Sequence, residues 1–230
     1  MTAMRPAARN MIKHPHQLHE KNRPNLRRYS ATALFYDLLD LPWEMIYRKW
    51  RPLLVGDVRG TVLEAGVGTG RNLRYYHRDV TLTAMDLSPA MLMKAQKRAR
   101  GAVCRIDFIT DDVCLMNSIP SASYDWIISI FLCCVMPEEV QPLALEQFAR
   151  VLKPGGRFRL LEMLYSRIPS IRKRQELFAR FVEKVYGARF DRNTLQLVEQ
   201  TPGLQVTGTR FLKNDTYLLI EGSKPAAAME

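Results

Sequence analysis

The stretch Val62-Leu63-Glu64-Ala65-Gly66-Val67-Gly68-Thr69-Gly70 constrains this 230-residue chain more than any other. An apolar run meets an acid, three glycines alternate with other residues, and a helical pattern follows. A strand running into a glycine turn ahead of a helix lets backbone N–H groups approach a ligand that no side chain obstructs. From residue 61 onward strand and helix patterns alternate, which implies a parallel sheet with helices on both faces. Strands are expected near 61–66, 81–86, 105–110, 124–131 and 157–163, and helices near 70–78, 88–100 and 137–152. A longer amphipathic helix is expected at 169–186 and a short one at 191–200. Leu204–Phe211 and Thr216–Ile220 read as a terminal antiparallel pair.

A G-x-G-x-G turn serves dinucleotide-binding and methyl-donor-binding folds alike, so its surroundings decide. An apolar strand ends at Asp86, and Ser88 with Pro89 opens a helix as N-cap and first turn. An acid at the tip of a second strand is placed to accept both hydroxyls of a ribose. Asp111-Asp112-Val113 follows Ile106–Thr110, where a carboxylate can accept from an adenine amino group. Ser123–Ser129 reads as the central buried strand, and Leu152-Lys153-Pro154-Gly155-Gly156-Arg157-Phe158 as a helix end, a tight turn and a new strand.

These five blocks, spanning roughly residues 60–165, resemble the class I S-adenosylmethionine-dependent methyltransferases. The resemblance implies a Rossmann-like α/β fold: a mostly parallel seven-stranded sheet with an antiparallel terminal strand, helices on both faces and an N-terminal helical cover. Within that superfamily the chain is similar to quinone-biosynthesis C-methyltransferases, bacterial phosphatidylethanolamine N-methyltransferases and microsomal thiol S-methyltransferases. Tyr36-Asp37 ahead of the glycine block suits all three. Ile130–Val135 leans toward the thiol branch, while Asp86–Leu92 also suits the other two.

The resemblance implies S-adenosylmethionine as donor and S-adenosylhomocysteine as product. Glu64, Gly66, Gly68 and Gly70 would lie along the donor's methionine and ribose portions. Asp86 would hold the ribose with Leu87 and Met91 beside it, and Asp112 with Val113 the adenine, Asp111 being the register alternative. Ser129 would line the methionine portion, and Tyr36 would close over the donor. Candidates for a general base are Tyr36 and, after it, Glu162 at the end of the fifth strand, with Cys133 and Cys134 third. His77 falls in no motif position, and no Asn-Pro-Pro-Tyr-like block appears.

Charge distribution narrows the acceptor. The net charge is +11, and it sits outside the donor-binding core. Residues 1–60 carry 11 Lys/Arg against 5 Asp/Glu, and residues 164–192 carry 8 against 3. Two readings are open: solvated basic faces, or attraction of residues 1–51 and 167–192 to an anionic membrane surface. Pro42–Arg51 mixes aromatic and cationic residues as an interfacial helix does, although the same face suits a cover over the donor. The acceptor is expected to be a small molecule or lipid, foremost a membrane-presented one such as phosphatidylethanolamine, with thiol S- and quinone C-methylation as alternatives. Nucleic acid is disfavoured, because the positive charge lacks aromatic stacking signatures.

Residues 1–28 read as a mobile basic arm, 29–58 as a helical lid broken at Pro42, 59–222 as the methyltransferase domain with a basic substrate-side region at 164–200, and 223–230 as a disordered tail. Cys104, Cys114, Cys133 and Cys134 show no CxxC spacing and sit among apolar residues, which suits reduced thiols. No metal site is expected, His14, His16 and His19 included. The first thirty residues lack the apolar stretch of a secretion signal, and the run Trp126–Met136 is far short of the roughly 20 residues a span needs. A cytoplasmic protein, soluble or peripheral on the inner face of a membrane, is expected.

Overall fold

The computed structural model describes residues 10–11 and 19–226. Seven strands carry the sheet: β2 (Gly60–Ala65), β3 (Val80–Asp86), β4 (Arg105–Thr110), β5 (Tyr124–Ile130), β6 (Leu152–Met163), β7 (Gln205–Phe211) and β8 (Tyr217–Ser223). A two-residue strand, β1 (Asn10–Met11), adds to the edge of β4 and was not expected. The order is β1-β4-β3-β2-β5-β6-β8-β7, with β7 and β8 antiparallel to their neighbours. Strand order reverses at β2, which pairs with β3 on one side and β5 on the other. In such sheets ligands settle at the carboxyl ends of the strands beside this reversal.

Val62 and Leu63 are adjacent, point to opposite faces and are both fully buried. A parallel strand covered on both sides needs apolar residues at every position. Leu63, Met85, Ile127 and Phe148 belong to the core on one face, and Val62, Leu82, Leu92 and Ile128 to the core on the other.

Helices α1 (Arg23–Thr32), α2 (Tyr36–Leu39) and α3 (Leu41–Val55) precede the sheet. Pro42 lies in the first turn of α3, where its missing N–H costs nothing, so the break falls at Asp40 rather than at the proline. α4 (Pro89–Arg98) follows β3, with Ser88 Oγ accepting from the Met91 N–H as expected of an N-cap. α5 (Gln141–Val151) is preceded by a 3-10 turn at Glu138–Val140. α6 (Pro169–Tyr186) ends at Gly187, whose φ of +71° forms a left-handed cap. α7 (Thr194–Gln200) is the last helix.

Four expectations need correction. No α-helix follows the glycine turn: residues 70–78 hold only a 3-10 turn at Leu73–Tyr75. The Asn72 amide instead donates to Glu64 Oε1 at 2.6 Å and its carbonyl oxygen accepts from Arg51, so tertiary bonds claim that segment. Lys153–Gly156 is no separate turn but the kinked start of β6, tied through Gly155 and Gly156 to Lys224. The expected arm stops short of residue 28, because Glu20–Asn22 forms a 3-10 turn leading into α1. The expected tail starts late: Ser223 ends β8 and Lys224 Nζ donates to the Ala149 carbonyl. The remainder of both predicted termini, His14 and His16 included, lies outside the described residues.

Candidate active site

Two cavities meet at the carboxyl ends of β2, β3 and β5. The first, of about 160 Å³, is lined by Glu64, Gly66, Gly68, Asp86, Leu87, Met91, Asp111, Asp112 and Val113, together with Tyr36 from the cover. Nine of the eleven residues assigned to the donor from sequence therefore share one wall. Gly70 and Ser129 are not brought to it.

The glycine turn is held by Asp86. Its Oδ2 accepts from the Gly68 N–H at 2.8 Å and its Oδ1 from the Ser88 N–H at 2.9 Å. Burial pushes this carboxyl up to about 6, against those two N–H groups, which favour the charged form. The three glycines divide the labour. Gly66, at φ +74°, backs onto the Leu132 side chain, and Gly70, at φ +78°, meets the Ala95 Cα, where a Cβ would stand 2.9 Å away. Gly68, at φ +55°, has no atom within 4 Å of its Cβ position. Gly70 thus serves the seating of α4, and Gly68 keeps the cavity wall open.

Asp112 is fully buried and already saturated. It accepts from the His19 N–H at 3.0 Å, from the Asn22 amide at 2.8 and 3.0 Å, and from the Cys114 N–H at 2.9 Å. Asp111 bonds the Ser118 hydroxyl at 2.7 Å and the Asp112 N–H at 2.8 Å. Both aspartates therefore shape the loop after β4, and Asn22 reaches over them into the cavity.

Three features fit an adenosyl-methionine donor. The Gly68 wall is open, and Asn22 Oδ1 and Glu64 Oε2 are buried acceptors without a partner among the described residues. Both residues line the cavity; Asn22 Oδ1 is open to an amino group, and the Glu64 carboxylate, beside Asn72 and the Tyr76 hydroxyl, is placed to face an ammonium. Burial pushes the Glu64 carboxyl up to about 7, which a cationic neighbour would reverse.

The second cavity, of about 370 Å³, is walled mainly by aromatic and aliphatic side chains of α2, α3, α6, β8 and the loop after α6, among them Trp43, Phe178, Val182, Tyr186, Phe190 and Tyr217. Tyr36 stands at its entrance to the first cavity, its ring 6.1 Å from those of both Tyr29 and Tyr186. Burial and the nearby Asp40 carboxylate push the Tyr36 phenol well up from its ordinary value, which favours its neutral form.

Glu162 lines neither cavity. Its two oxygens accept from the Cys133 and Cys134 N–H groups, each at 2.9 Å, and burial pushes it up to about 7. It ties the loop after β5 to the end of β6. Cys133 and Cys134 are buried, and burial beside Glu162 pushes both thiols up. Ser129 is buried, and its hydroxyl has no partner among the described residues.

Sequence reasoning missed the residues that the cover contributes, since Asn22, Asn25, Tyr29, Asp40 and Arg51 all line the first cavity, and it also missed Arg71 of the glycine turn. The cover is fastened to the glycine turn by charge. Asp37 accepts from the Thr69 hydroxyl at 2.9 Å and pairs with Arg71, Lys94 and Arg98. Arg51 pairs with Glu44 and bonds Asn72. Of these fastening residues, Asp37 alone stood in a pattern visible beforehand, as the neighbour of Tyr36.

Residues 62–156 match a family described as "Methyltransferase domain". The phosphatidylethanolamine N-methyltransferase of Cereibacter sphaeroides is 29% identical over 152 residues, covering 62% of this chain and 73% of that protein. A ubiquinone/menaquinone biosynthesis C-methyltransferase of Methylobacterium nodulans is 28% identical over 155 residues, covering 62% and 60%. Among solved structures, an O-methyltransferase family protein from Burkholderia thailandensis superposes with a TM-score of 0.70 at 16% identity, over 91% of this chain and 64% of that one.

Proposed function

Because this chain is an S-adenosylmethionine-dependent methyltransferase, we propose that its acceptor is a membrane amphiphile, with the headgroup amine of a phospholipid such as phosphatidylethanolamine as the methylated atom. The observation that carries this reading is the second cavity: it is mostly apolar with Arg174 and Lys213 also in its lining, large enough for part of a lipid, and continuous with the donor cavity through shared residues. The likeness to a phosphatidylethanolamine N-methyltransferase supports it.

α6 supports delivery from a membrane. It carries exposed Leu177 (76%), Phe178 and Phe181 beside Arg174, Arg180 and Lys184. Across the cavity mouth the cover exposes Leu38 (69%), Leu41 and Trp43. The Tyr186 hydroxyl donates to the Leu39 carbonyl at 2.8 Å, so the two elements adjoin. Apolar side chains flanked by cations are the composition of an interfacial anchor. Among the described residues no helix is long and apolar enough to cross a membrane, so the association proposed is peripheral.

When bound, the donor supplies a methyl group already activated on a sulfonium sulfur. The chain's part is positioning and exclusion of water. Asp86 and the Gly68 turn would hold the ribose, Asn22 Oδ1 the adenine amino group and Glu64 the ammonium. Tyr36, Tyr29 and Phe131 wall the junction and keep it dry. A quinone ring acceptor is the second reading, favoured by the aromatic walls, which suit a flat ring, and by the likeness to a quinone C-methyltransferase.

The test is methyl transfer from labelled donor to anionic vesicles containing either phosphatidylethanolamine or a demethylated quinol. Label in the phospholipid supports the first reading, and label in the quinol alone transfers support to the second. Label confined to water-soluble thiols would defeat both.

A further inference from the structure

The atom that receives the methyl group must sit where the two cavities meet. Six residues line both: Tyr29, Tyr36, Asp40, Tyr47, Phe131 and Val135. Five are aromatic or aliphatic, and Asp40 is the one carboxylate among them. Its position is unusual for an acid, since it is buried at the end of α2 and lines the junction together with the rings of Tyr29, Tyr36, Tyr47 and Phe131. Tyr47 lies 4.9 Å from Phe131 and 5.8 Å from Tyr217, centroid to centroid.

Asp40 is also less well paired than the neighbouring acids Asp37 and Glu44. Arg71 divides its guanidinium among Asp37 at 3.2 Å, Glu44 at 3.4 Å and Asp40 at 3.5 Å. Asp37 has Lys94 and Arg98 besides, and Glu44 has Arg51. Among the described residues Asp40 has the Arg71 contact as its one ion pair. Burial accordingly pushes its carboxyl up to about 6, with Glu44 and Asp37 adding to the rise and Arg71 and Arg51 opposing it. A buried carboxylate that lacks a full counter-charge is costly, and a cation beside it removes the cost. Aromatic faces around the same point attract cations as well.

We infer that Asp40 and the rings of Tyr36, Tyr47 and Phe131 form an ammonium-recognition box at the junction, which selects a cationic amine as acceptor over a neutral ring or thiol. The ammonium passes one proton to an Asp40 oxygen. That leaves a neutral carboxylic acid and an amine whose lone pair is free. A neutral quinone ring would gain nothing from this carboxylate and would have to strip water from it. This deepens the proposed function and rests on taking the second cavity as the acceptor site.

The inference is tested by binding, with the full chain saturated with S-adenosylhomocysteine and tryptophan and tyrosine fluorescence as readout. The probes are octyltrimethylammonium and its neutral isostere, in which a quaternary carbon replaces the nitrogen. The wild-type protein should bind the cation at least about tenfold more tightly, as one carboxylate with cation–π contacts allows. Asp40→Asn should bring the two affinities within about threefold, and Asp40→Glu should restore the preference. An unchanged melting temperature shows that the variants fold. Equal affinities in the wild type, a comparison that needs no variant, would overturn the inference, as would a preference that survives in Asp40→Asn. If vesicle phospholipid is not methylated while the cation preference stands, the lipid reading fails and the amine box does not.

Discussion

The amide N–H of Gly68 donates to Asp86 Oδ2 at 2.8 Å, so the acid that ends β3 fixes the turn that ends β2. The same carboxylate accepts from the Ser88 N–H and thereby also sets the start of α4. One side chain orders the two segments that would embrace the donor's ribose.

Replacing Asp86 by Ala should weaken S-adenosylhomocysteine binding by about 10- to 100-fold, the value of one or two charge-assisted hydrogen bonds. Titration calorimetry measures it. Unchanged affinity would remove Asp86 from the donor site.

The pH dependence has a defined sign. Asp86 titrates at about 6 in the fold, and its protonated form loses acceptor capacity for ribose hydroxyls. With Glu64, assigned to the ammonium, raised to about 7, donor affinity should begin to fall as pH drops through 7 and steepen below 6, by about tenfold per pH unit for each carboxylate protonated. Stability of the ligand-free protein runs the other way. Asp40, Glu64, Asp86 and Glu162 all have raised values, of about 6 or 7. Their contribution is full below their unfolded values and is lost as pH rises through 6 to 7, so the melting temperature should be lower at pH 8 than at pH 5.

Gly70 and Gly68 should respond differently to alanine. At Gly70 a Cβ would meet the Ala95 Cα at 2.9 Å and the φ of +78° is strained for any L side chain, so Gly70→Ala should cost more than about 1 kcal/mol of stability. Gly68→Ala carries the conformational cost without the clash, and its larger effect should be on donor affinity. Paired melting and calorimetry of the two variants separates these roles, and a donor defect confined to Gly70→Ala would reverse them.

Glu162→Gln sets an amide N–H2 against one of the Cys133 and Cys134 N–H donors. The mismatch should cost about 1–3 kcal/mol. If Glu162 only positions the loop, turnover in the variant should keep the wild-type pH profile. A profile that loses a limb would make it the general base.

Leu177→Ser with Phe181→Ser removes exposed apolar area from α6 without touching either cavity. Each such side chain is worth about 1.5–3 kcal/mol when buried in an apolar phase. Sedimentation with anionic vesicles should fall at least about tenfold while donor affinity stays. Equal sedimentation would take α6 out of the membrane contact.

The elements legible in the sequence were those set by local pattern. α6 was placed at its observed bounds because its apolar residues recur at helical spacing over eighteen positions, and β3, β4 and β5 because each is a short apolar run with a turn after it. What escaped was set at long range. Asn22 bonds Asp112 across 90 residues, and nothing near Asn22 in the chain announces that partner. Asn72 likewise leaves the expected helix for Glu64 and Arg51. Asp40 belongs to no sequence motif, and only the packing of α1 to α3 over the sheet brings it between the cavities. Glu162 was placed correctly at the end of its strand, but strand position alone says nothing of which way a carboxylate faces.

The bonds from His19 and Asn22 to Asp112 carry a kinetic consequence. The segment they pin continues into Tyr29 and Tyr36, which wall both cavities. Lifting of that segment to admit a donor would also take a wall from the acceptor cavity. Binding should therefore be ordered, donor first, with S-adenosylhomocysteine the last species to leave, and the rate of its departure can set the pace of the whole cycle.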